Sequence, residues 1–467
     1  MNFIKKLEKE ILPIINEIKS KGGVAYLVGG SVRDLVLKRE VKDIDIEVHK
    51  ISIEDLESCL KKFGGVSLVG KQFGVLKLHG FDIDWSLPRR DSKGRKPAVV
   101  IDPDMSIEEA SRRRDLTINS MAINLNDFDS KKPLIIDPYG GLEDLKKKRL
   151  RLVDKDFFIE DPLRFYRVMQ FIGRFEMTPD DELNKVCKEM DLGGVYGELA
   201  RERIYEEIKK LFLKSRRPSL GFRWIEEIGR LKELFPELGV LVNVEQRVDY
   251  HPEGNVFEHT MQTLDAAATL EVSEEKFMIM LAVLCHDFGK AKVVNDDLSA
   301  KGHDTAGVPV AKAFLRRFTW NSKLIRSVCK LVRYHMMPLL FVEQKSGPKA
   351  YKRLALKLAP EVTLEHLYLV AWCDIRGRNE DGPEPLTKGF ALTQLLSNDT
   401  VLEQFMENVK GAEVATGPEK PVLLGRDLLD VVEAGPEMGR LLRKAYQIQI
   451  DEGVKDKDEL KRRVLKS

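Results

Sequence analysis

The hydrophobic pattern of this chain changes period once, near residue 155, and that change limits the possible folds more than any other feature. Before it, VAYLVGG, DIDIEV, VLKLHGFDIDWSL and LTINSMAINL carry β-branched content, alternation or short apolar runs, which are strand signatures. After it, apolar residues recur at helical spacing almost throughout, with Gly and Pro punctuating the joins. The expected fold class is α+β: an N-terminal head built on a small mixed sheet with helices, then an all-helical body. Breaks near Asp154, in VNVEQRVDYHPEG (242–254) and in GRNEDGPEPLTKG (377–389) divide the chain into segments 1–154, 155–245, 246–385 and 386–467.

Composition bounds the chemistry. A 467-residue chain with 43% hydrophobic residues can bury several cores, while 33% charged residues at a net charge of +2 describe a mixed-sign surface rather than a uniformly basic one. Five scattered cysteines without CxxC spacing exclude a disulfide framework or a zinc ribbon and suit a reduced, cytoplasmic protein. The opening MNFIKKLEKEILPIINEIKSKGG reads as an amphipathic helix too charged for a signal peptide, and no apolar run reaches the roughly 20 residues of a membrane span.

GGSVRDLVLKREVKDIDIEVHK (29–50) combines a strand ending in Gly29-Gly30, a helix for which Ser31 is an N-cap candidate, the fixed cation Arg33, and an acidic strand. Alternation from Asp43 onward turns Asp43 and Asp45 to one side, about 7 Å apart along the strand. Side-by-side carboxylates repel, so their natural partner is a hard divalent cation such as magnesium, which activates hydroxyls and neutralises triphosphates. The same pattern also suits the solvated edge of an antiparallel sheet. GFDIDWSLPR offers Asp84 as a third acid from a neighbouring strand, or as a surface acid.

LVGGSVRDLVLKREVKDID resembles the signature of the class II tRNA nucleotidyltransferase (CCA-adding enzyme) and bacterial poly(A) polymerase family. Further stretches resemble that family's motifs in order: RRRDLTINSMAIN (112–124), DPYGGLEDLKKKRLR (137–151), EDPLRFYRVMQF (160–171) and ELARERIYEEIKKLF (198–212). The resemblance implies a nucleotidyltransferase head, a helical neck and a magnesium-dependent two-metal site on Asp43, Asp45 and Asp84. It also implies nucleotide contacts from Gly30, Arg33, Arg114, Asp115 and Asn119, with tRNA, CTP and ATP as substrates. The loop expected to permit the switch to A addition, RRDSKGRKPAVVIDPDMS (89–106), is short for the family, so addition of CC, of A or of full CCA stays open.

Two readings need no family. Asp161 and Arg164, spaced i, i+3 on a helix, pair an acceptor with a donor fork that matches the edges of C or A, with Arg167 one turn along to hold Asp161 or a triphosphate. Asp161 before Pro162 equally suits a helix cap. Residues 201–223 hold eight Lys/Arg against three Glu, making Arg201, Arg203, Lys209 and Lys210 candidates for RNA phosphate contacts or a solvated helix face.

The third segment gathers histidines. VFEHTMQTLDAA gives His259, LAVLCHDFGKA gives His286 and Asp287, and LYLVAWCDIRGR gives Asp374; imidazoles with carboxylates suit a catalytic divalent metal whose identity the pattern leaves open. His366 reads as a satisfied core residue. The H…HD…D order is similar to the HD phosphohydrolase superfamily, which implies metal-assisted hydrolysis of a phosphoester, with Lys290, His303 and His335 as auxiliary ligands or phosphate contacts. The tail (386–467) resembles the tRNA-facing helices of nucleotidyltransferases with such a domain. Other readings are a poly(A) polymerase of the same family, an HD-domain RNA-end phosphatase or phosphodiesterase with a vestigial head, and a tRNA-binding scaffold.

Overall fold

The computed structural model describes residues 3–41, 43–69, 74–91, 99–129, 133–193, 198–271, 275–380, 382–384 and 398–466. The chain divides into two compact units, Met1–Ala200 and Arg201–Ser467. No helix among the described residues is long and apolar enough to cross a membrane.

The first unit is organised by a seven-stranded sheet. Its strands are β1 (Val24–Val28), β2 (Ile44–His49), β3 (Val66–Val69), β4 (Val75–Leu78) and β5 (Ile83–Ser86). A short hairpin of β6 (Arg89–Asp91) and β7 (Val99–Ile101) stands apart, and β8 (Ala122–Asn124) and β9 (Ile135–Ile136) complete the main sheet. The order is β3-β4-β5-β2-β1-β8-β9. Within it β2 and β5 run parallel, with Asp45 opposite Asp84, whereas β1 pairs antiparallel with both β2 and β8. Alternation works as the sequence predicts: Ile44, Ile46 and Val48 are buried, and Asp45 and Glu47 lie on the other face, half-buried. Trp85, fully buried on β5, fills the core beneath them.

Two sequence expectations resolve differently. LTINSMAINL is a strand only in its second half, because Thr117–Asn119 forms a 3-10 turn in which Asn119 and Ser120 bond back to the carbonyls of Leu116 and Thr117. The N-terminal helix widens into a π turn at Leu7–Ile11 before continuing from Leu12 to Ser20. Pro13 lacks an N–H and its ring crowds the carbonyl four residues back, a sufficient cause for that widening. The apolar face is kept, with Leu7, Ile11, Ile14, Ile15 and Ile18 buried.

The helix Leu163–Phe175 also belongs to this unit and buries most of its residues. The second unit is helical. Helices Val256–Ala268, Lys276–Cys285, His303–Arg316, Ser322–Tyr334 and Leu364–Arg376 surround a core that includes Phe222, Phe235, Phe288 and Phe314. The C-terminal helices Pro436–Glu452 and Lys457–Leu465 close over a small core of their own, centred on Leu428, Leu441 and Leu460.

Candidate active sites

In the head, β1 ends at Gly29, whose φ of +69° is left-handed, and the chain turns directly into the helix Gly30–Val36. The left-handed φ favours glycine, and a Cβ there would lie 2.8 Å from Arg114 Nη1, so that guanidinium would have to shift. Ser31 does not cap the helix. Its hydroxyl instead donates to the Asp43 carbonyl at 2.8 Å and accepts from the Asp45 amide at 3.1 Å, fastening the acidic strand to the glycine turn.

Asp43 is exposed just ahead of β2, and Asp45 and Asp84 face each other across the parallel pair. Lys77 lies 3.1 Å from Asp84, and Arg114 lies 3.5 Å from Glu47, the next acid along the face of β2. The Asp45 carboxyl is raised above its usual range by burial, with Arg114 opposing and Asp84 and Asp43 adding to the effect. Glu47 is lowered, because hydrogen bonding from His49 and the charge of Arg114 outweigh its burial. Oxygen donors whose repulsion and desolvation favour proton uptake are the donor set a hard divalent cation satisfies.

Behind this face runs a buried polar chain. Arg33, 4% exposed, donates to Asn119 Oδ1 at 2.5 Å and to Asp34 Oδ1 at 2.9 Å, and its guanidinium lies over the rings of Phe171 and Phe175. Asn119 donates to Asp115 Oδ1 at 2.9 Å, and Arg167 Nε donates to Asp115 Oδ2 at 2.6 Å. Asp115 is buried yet held far below the ordinary carboxylate range by Arg167 and Asn119. Five predicted nucleotide-binding residues thus fall into two groups: Arg114 faces the acids, and Arg33, Asp115, Asn119 and Arg167 form the network behind them.

Asp161 Oδ1 accepts from the Leu163 amide at 3.0 Å, so the capping bond weighed from the sequence is present. The Arg164 fork reaches the carbonyls of Phe157 at 2.5 Å and Arg113 at 2.7 Å, which fixes its plane beside Asp161. Residues 92–98 of the expected A-switching loop lie outside the described residues; the flanking β6 and β7 pair as a hairpin.

On the second unit, Arg201 lies over the exposed ring of Trp320 at 5.3 Å. Lys209 and Lys210 pair with Glu206 and Glu207 at 4.0 and 2.9 Å, and Arg203 is exposed.

The histidine cluster is assembled from five helices. His259 sits inside its helix, His286-Asp287 and His335 follow the ends of theirs, His303 begins one, and Asp374 lies in the last turn of another. Gly289 permits the assembly: a Cβ there would lie 1.9 Å from the His303 carbonyl oxygen. Asp287 is central, with Oδ2 3.2 Å from His286 Nε2 and 2.8 Å from Lys290 Nζ, and Oδ1 3.3 Å from His303 Nε2. His259 Nε2 is 3.0 Å from Asp374, which also accepts from Arg378. Among the described residues, three groups of potential ligands lie within 4.8 Å: His259, His286 and Asp374; Asp287, His303 and His335; and His251, Glu253 and His259.

The donor set fits a metal. His286, His303 and His335 each turn Nδ1 to a backbone carbonyl, of Val283, Ala300 and Val332, at 2.6, 2.8 and 2.8 Å. Those bonds put the ring proton on Nδ1 and leave Nε2 a lone pair facing inward. His303 and His335 then oppose two lone pairs at 3.0 Å, an arrangement that only an intervening proton or cation relieves. Burial, with His303 and His286 nearby, lowers His335 to about 3, which disfavours the proton. His286 Nε2 is buried without a hydrogen-bond partner, 3.2 Å from Asp287 Oδ2. Burial lowers His259, but Asp374 and Glu253 outweigh it and raise it to about 9, so a cation taking its Nε2 displaces a proton. A cavity of about 530 Å³ opens onto Asp287, Lys290, His303, His335, Asp374 and Arg378.

Glu253, His251 and Arg378 were not anticipated from the sequence. The close spacing of His251, Glu253 and His259 in HPEGNVFEH was the available signal. His366 is a helix cap rather than a core residue, bonding with Thr363 and lying 3.0 Å from Glu275.

Comparison with known proteins decides the family. The Poly A polymerase head domain model matches residues 25–151 and the HD domain model residues 256–360. A multifunctional CCA protein of Pasteurella multocida is 34% identical over 365 residues, 76% of this chain and 84% of that protein. The chain belongs to the multifunctional CCA protein family of nucleotidyltransferases. The Bacillus stearothermophilus CCA-adding enzyme in complex with CTP shares the fold, with a TM-score of 0.63 at 19% identity, covering 97% of each chain. So does the Thermotoga maritima CCA-adding enzyme complexed with tRNA, with a TM-score of 0.57 at 18% identity, covering 100% of this chain and 98% of that one. The nucleotidyltransferase and HD families both use divalent metals.

The raised Asp45 carboxyl has a measurable consequence. An acid whose folded value is raised binds its proton more tightly when folded, so stability falls as pH rises through its titration. Asp45→Asn in chelator-treated protein should therefore melt above wild type at pH 7, the difference closing as pH drops below the carboxylate range. Scanning calorimetry at both pH values checks it.

Proposed function

We propose that this chain adds C and A, as CCA or part of it, to the 3′ end of tRNA in the cytoplasm, using CTP and ATP and releasing pyrophosphate. The observation that carries the reading is the register setting Asp45 beside Asp84, with Asp43 just ahead of that strand and Ser31 tying the strand to the glycine turn. Asp43, Asp45 and Asp84 are all-oxygen donors, for which magnesium is the proposed ion. Bound there, divalent ions supply Lewis-acid polarisation and neutralise charge on the triphosphate.

The chain's own residues position the reactants. Arg114 presents a cation to the triphosphate beside Gly30, while Asp115 and Asn119 hold Arg33 and Arg167 in place behind it. Asp161 and Arg164 choose the base: an acceptor next to a fixed donor fork matches C or A and opposes the pattern of G or U. Arg201, Arg203, Lys209 and Lys210 hold RNA phosphates, and the ring of Trp320 steadies Arg201. In this assignment 1–154 is the catalytic head, 155–245 the neck, 246–385 the HD domain and 386–467 the tRNA-facing tail.

A second activity is supported by the inward lone pairs of His286, His303 and His335 around Asp287: phosphoester hydrolysis in the cavity of the second unit. His259, His286, Asp287 and Asp374 would hold a divalent metal, which supplies Lewis-acid polarisation of the phosphoester. Lys290 and Arg378 place positive charge beside the phosphate.

With magnesium, CTP and ATP, the purified protein should extend a tRNA lacking its CCA end, and sequencing the product defines the nucleotides added. Asp43→Ala or Asp45→Ala should each lower extension by on the order of 10³-fold, the equivalent of several kcal/mol of charge stabilisation. Arg164→Ala should raise the fraction of wrong nucleotides incorporated; unchanged selectivity rejects its role. His286→Ala should remove divalent-metal-dependent phosphatase activity and leave extension intact.

A further inference from the structure

Glu253 is a carboxylate that neither proposed reaction uses, and its side chain is fully buried. Its Oε1 lies 2.9 Å from His251 Nδ1 and 2.7 Å from His259 Nδ1, and its Oε2 has no hydrogen-bond partner. The two imidazoles meet edge to face with centroids 4.8 Å apart. Three potential ligands this close suggest an ion site of their own. The hydrogen bonding argues otherwise: His259 Nδ1 also faces the Gly377 carbonyl at 3.0 Å and therefore carries a proton, so it has no lone pair to give.

We infer that Glu253 is a positioning residue for the HD metal site, acting through His259. Its charge and the Gly377 carbonyl share the Nδ1 proton of His259 and hold that ring with Nε2 toward Asp374 and Asp287. A carboxylate behind an imidazole fixes the tautomer and makes the opposite nitrogen a stronger donor; losing such a partner typically weakens metal binding by about 10–100-fold. The same oxygen sets His251, which lines the cavity, with its proton on Nδ1 and a lone pair on Nε2. The inference rests on the phosphohydrolase reading of that cavity.

The test is a Co²⁺ titration followed by its visible d–d absorption, on full-length wild type, Glu253→Ala and Glu253→Gln. Glu253→Ala should weaken the apparent Kd by about 10–100-fold and shift the band, because the donor strength of His259 changes. Glu253→Gln, which keeps an acceptor without the charge, should recover part of the affinity. Extension of tRNA 3′ ends, which Glu253 does not touch, should stay at the wild-type level in both variants and reports that the chain is folded. Equal Kd and band position in all three proteins overturn the inference, since the Gly377 carbonyl would then suffice. Loss of extension together with metal binding in both variants overturns it too, marking Glu253 as a fold residue. A wild-type protein that takes up no Co²⁺ rejects the phosphohydrolase reading itself.

Discussion

A carboxylate removed from water persists as an ion only where donors replace its hydration, and Asp115 meets that demand with donors from distant parts of the head. Its two oxygens take the Leu116 amide, the Asn119 amide nitrogen and Arg167 Nε, and Asn119 in turn takes Arg33 from the helix after the glycine turn. One buried charge therefore joins three segments: the Gly30–Val36 helix, the Thr117–Asn119 turn and the Leu163–Phe175 helix. Removing one partner from such a network leaves an uncompensated charge and typically costs about 3–5 kcal/mol. The acidic strand and the proposed base-choosing pair keep a fixed relation because this network does.

The second unit solves the same problem with a different carboxylate. Asp287, although burial alone would raise it, is held below the ordinary carboxylate range by positive charge placed against it, with Lys290 Nζ 2.8 Å away. The histidines are ordered from behind by backbone carbonyls, those of Val283 and Val332 in the preceding helices, of Ala300 just ahead of a helix and of Gly377 just after one. That outer layer makes the inner face a set of lone pairs rather than a set of donors.

Much of this was legible in the sequence, and what was not has a physical reason. Alternation in DIDIEV reports one buried face, so the side of the strand bearing Asp45 and Glu47 was readable from a period of two. The H…HD…D order was readable because each of those residues lies on a segment of helical period. Direction of hydrogen bonding was not. Ser31 looks like a cap but bonds the neighbouring strand, and Arg33 looks like a phosphate contact but lies buried against two phenylalanines. In DPYGGLEDLKKKRLR, Arg149 and Arg151 turn to the buried Asp144, which also accepts from Thr117. The spacing in HPEGNVFEH hinted at Glu253, but its contact with His259 Nδ1 at 2.7 Å needs the folded chain.

The two sites also differ in what a cation must displace. In the head the proposed donors are carboxylates, of which Asp45 is raised by burial, with Asp84 and Asp43 adding to the effect and Arg114 opposing it, so a hard ion bound there would relieve that repulsion. In the second unit the donors are buried imidazole nitrogens around a deprotonated aspartate, and an entering ion must displace the proton that His259 shares with Asp374. Nitrogen-rich donors favour borderline transition ions, and oxygen-only donors favour hard ones. On the proposed assignments, donor atoms of these two kinds would keep two metal chemistries apart within one chain.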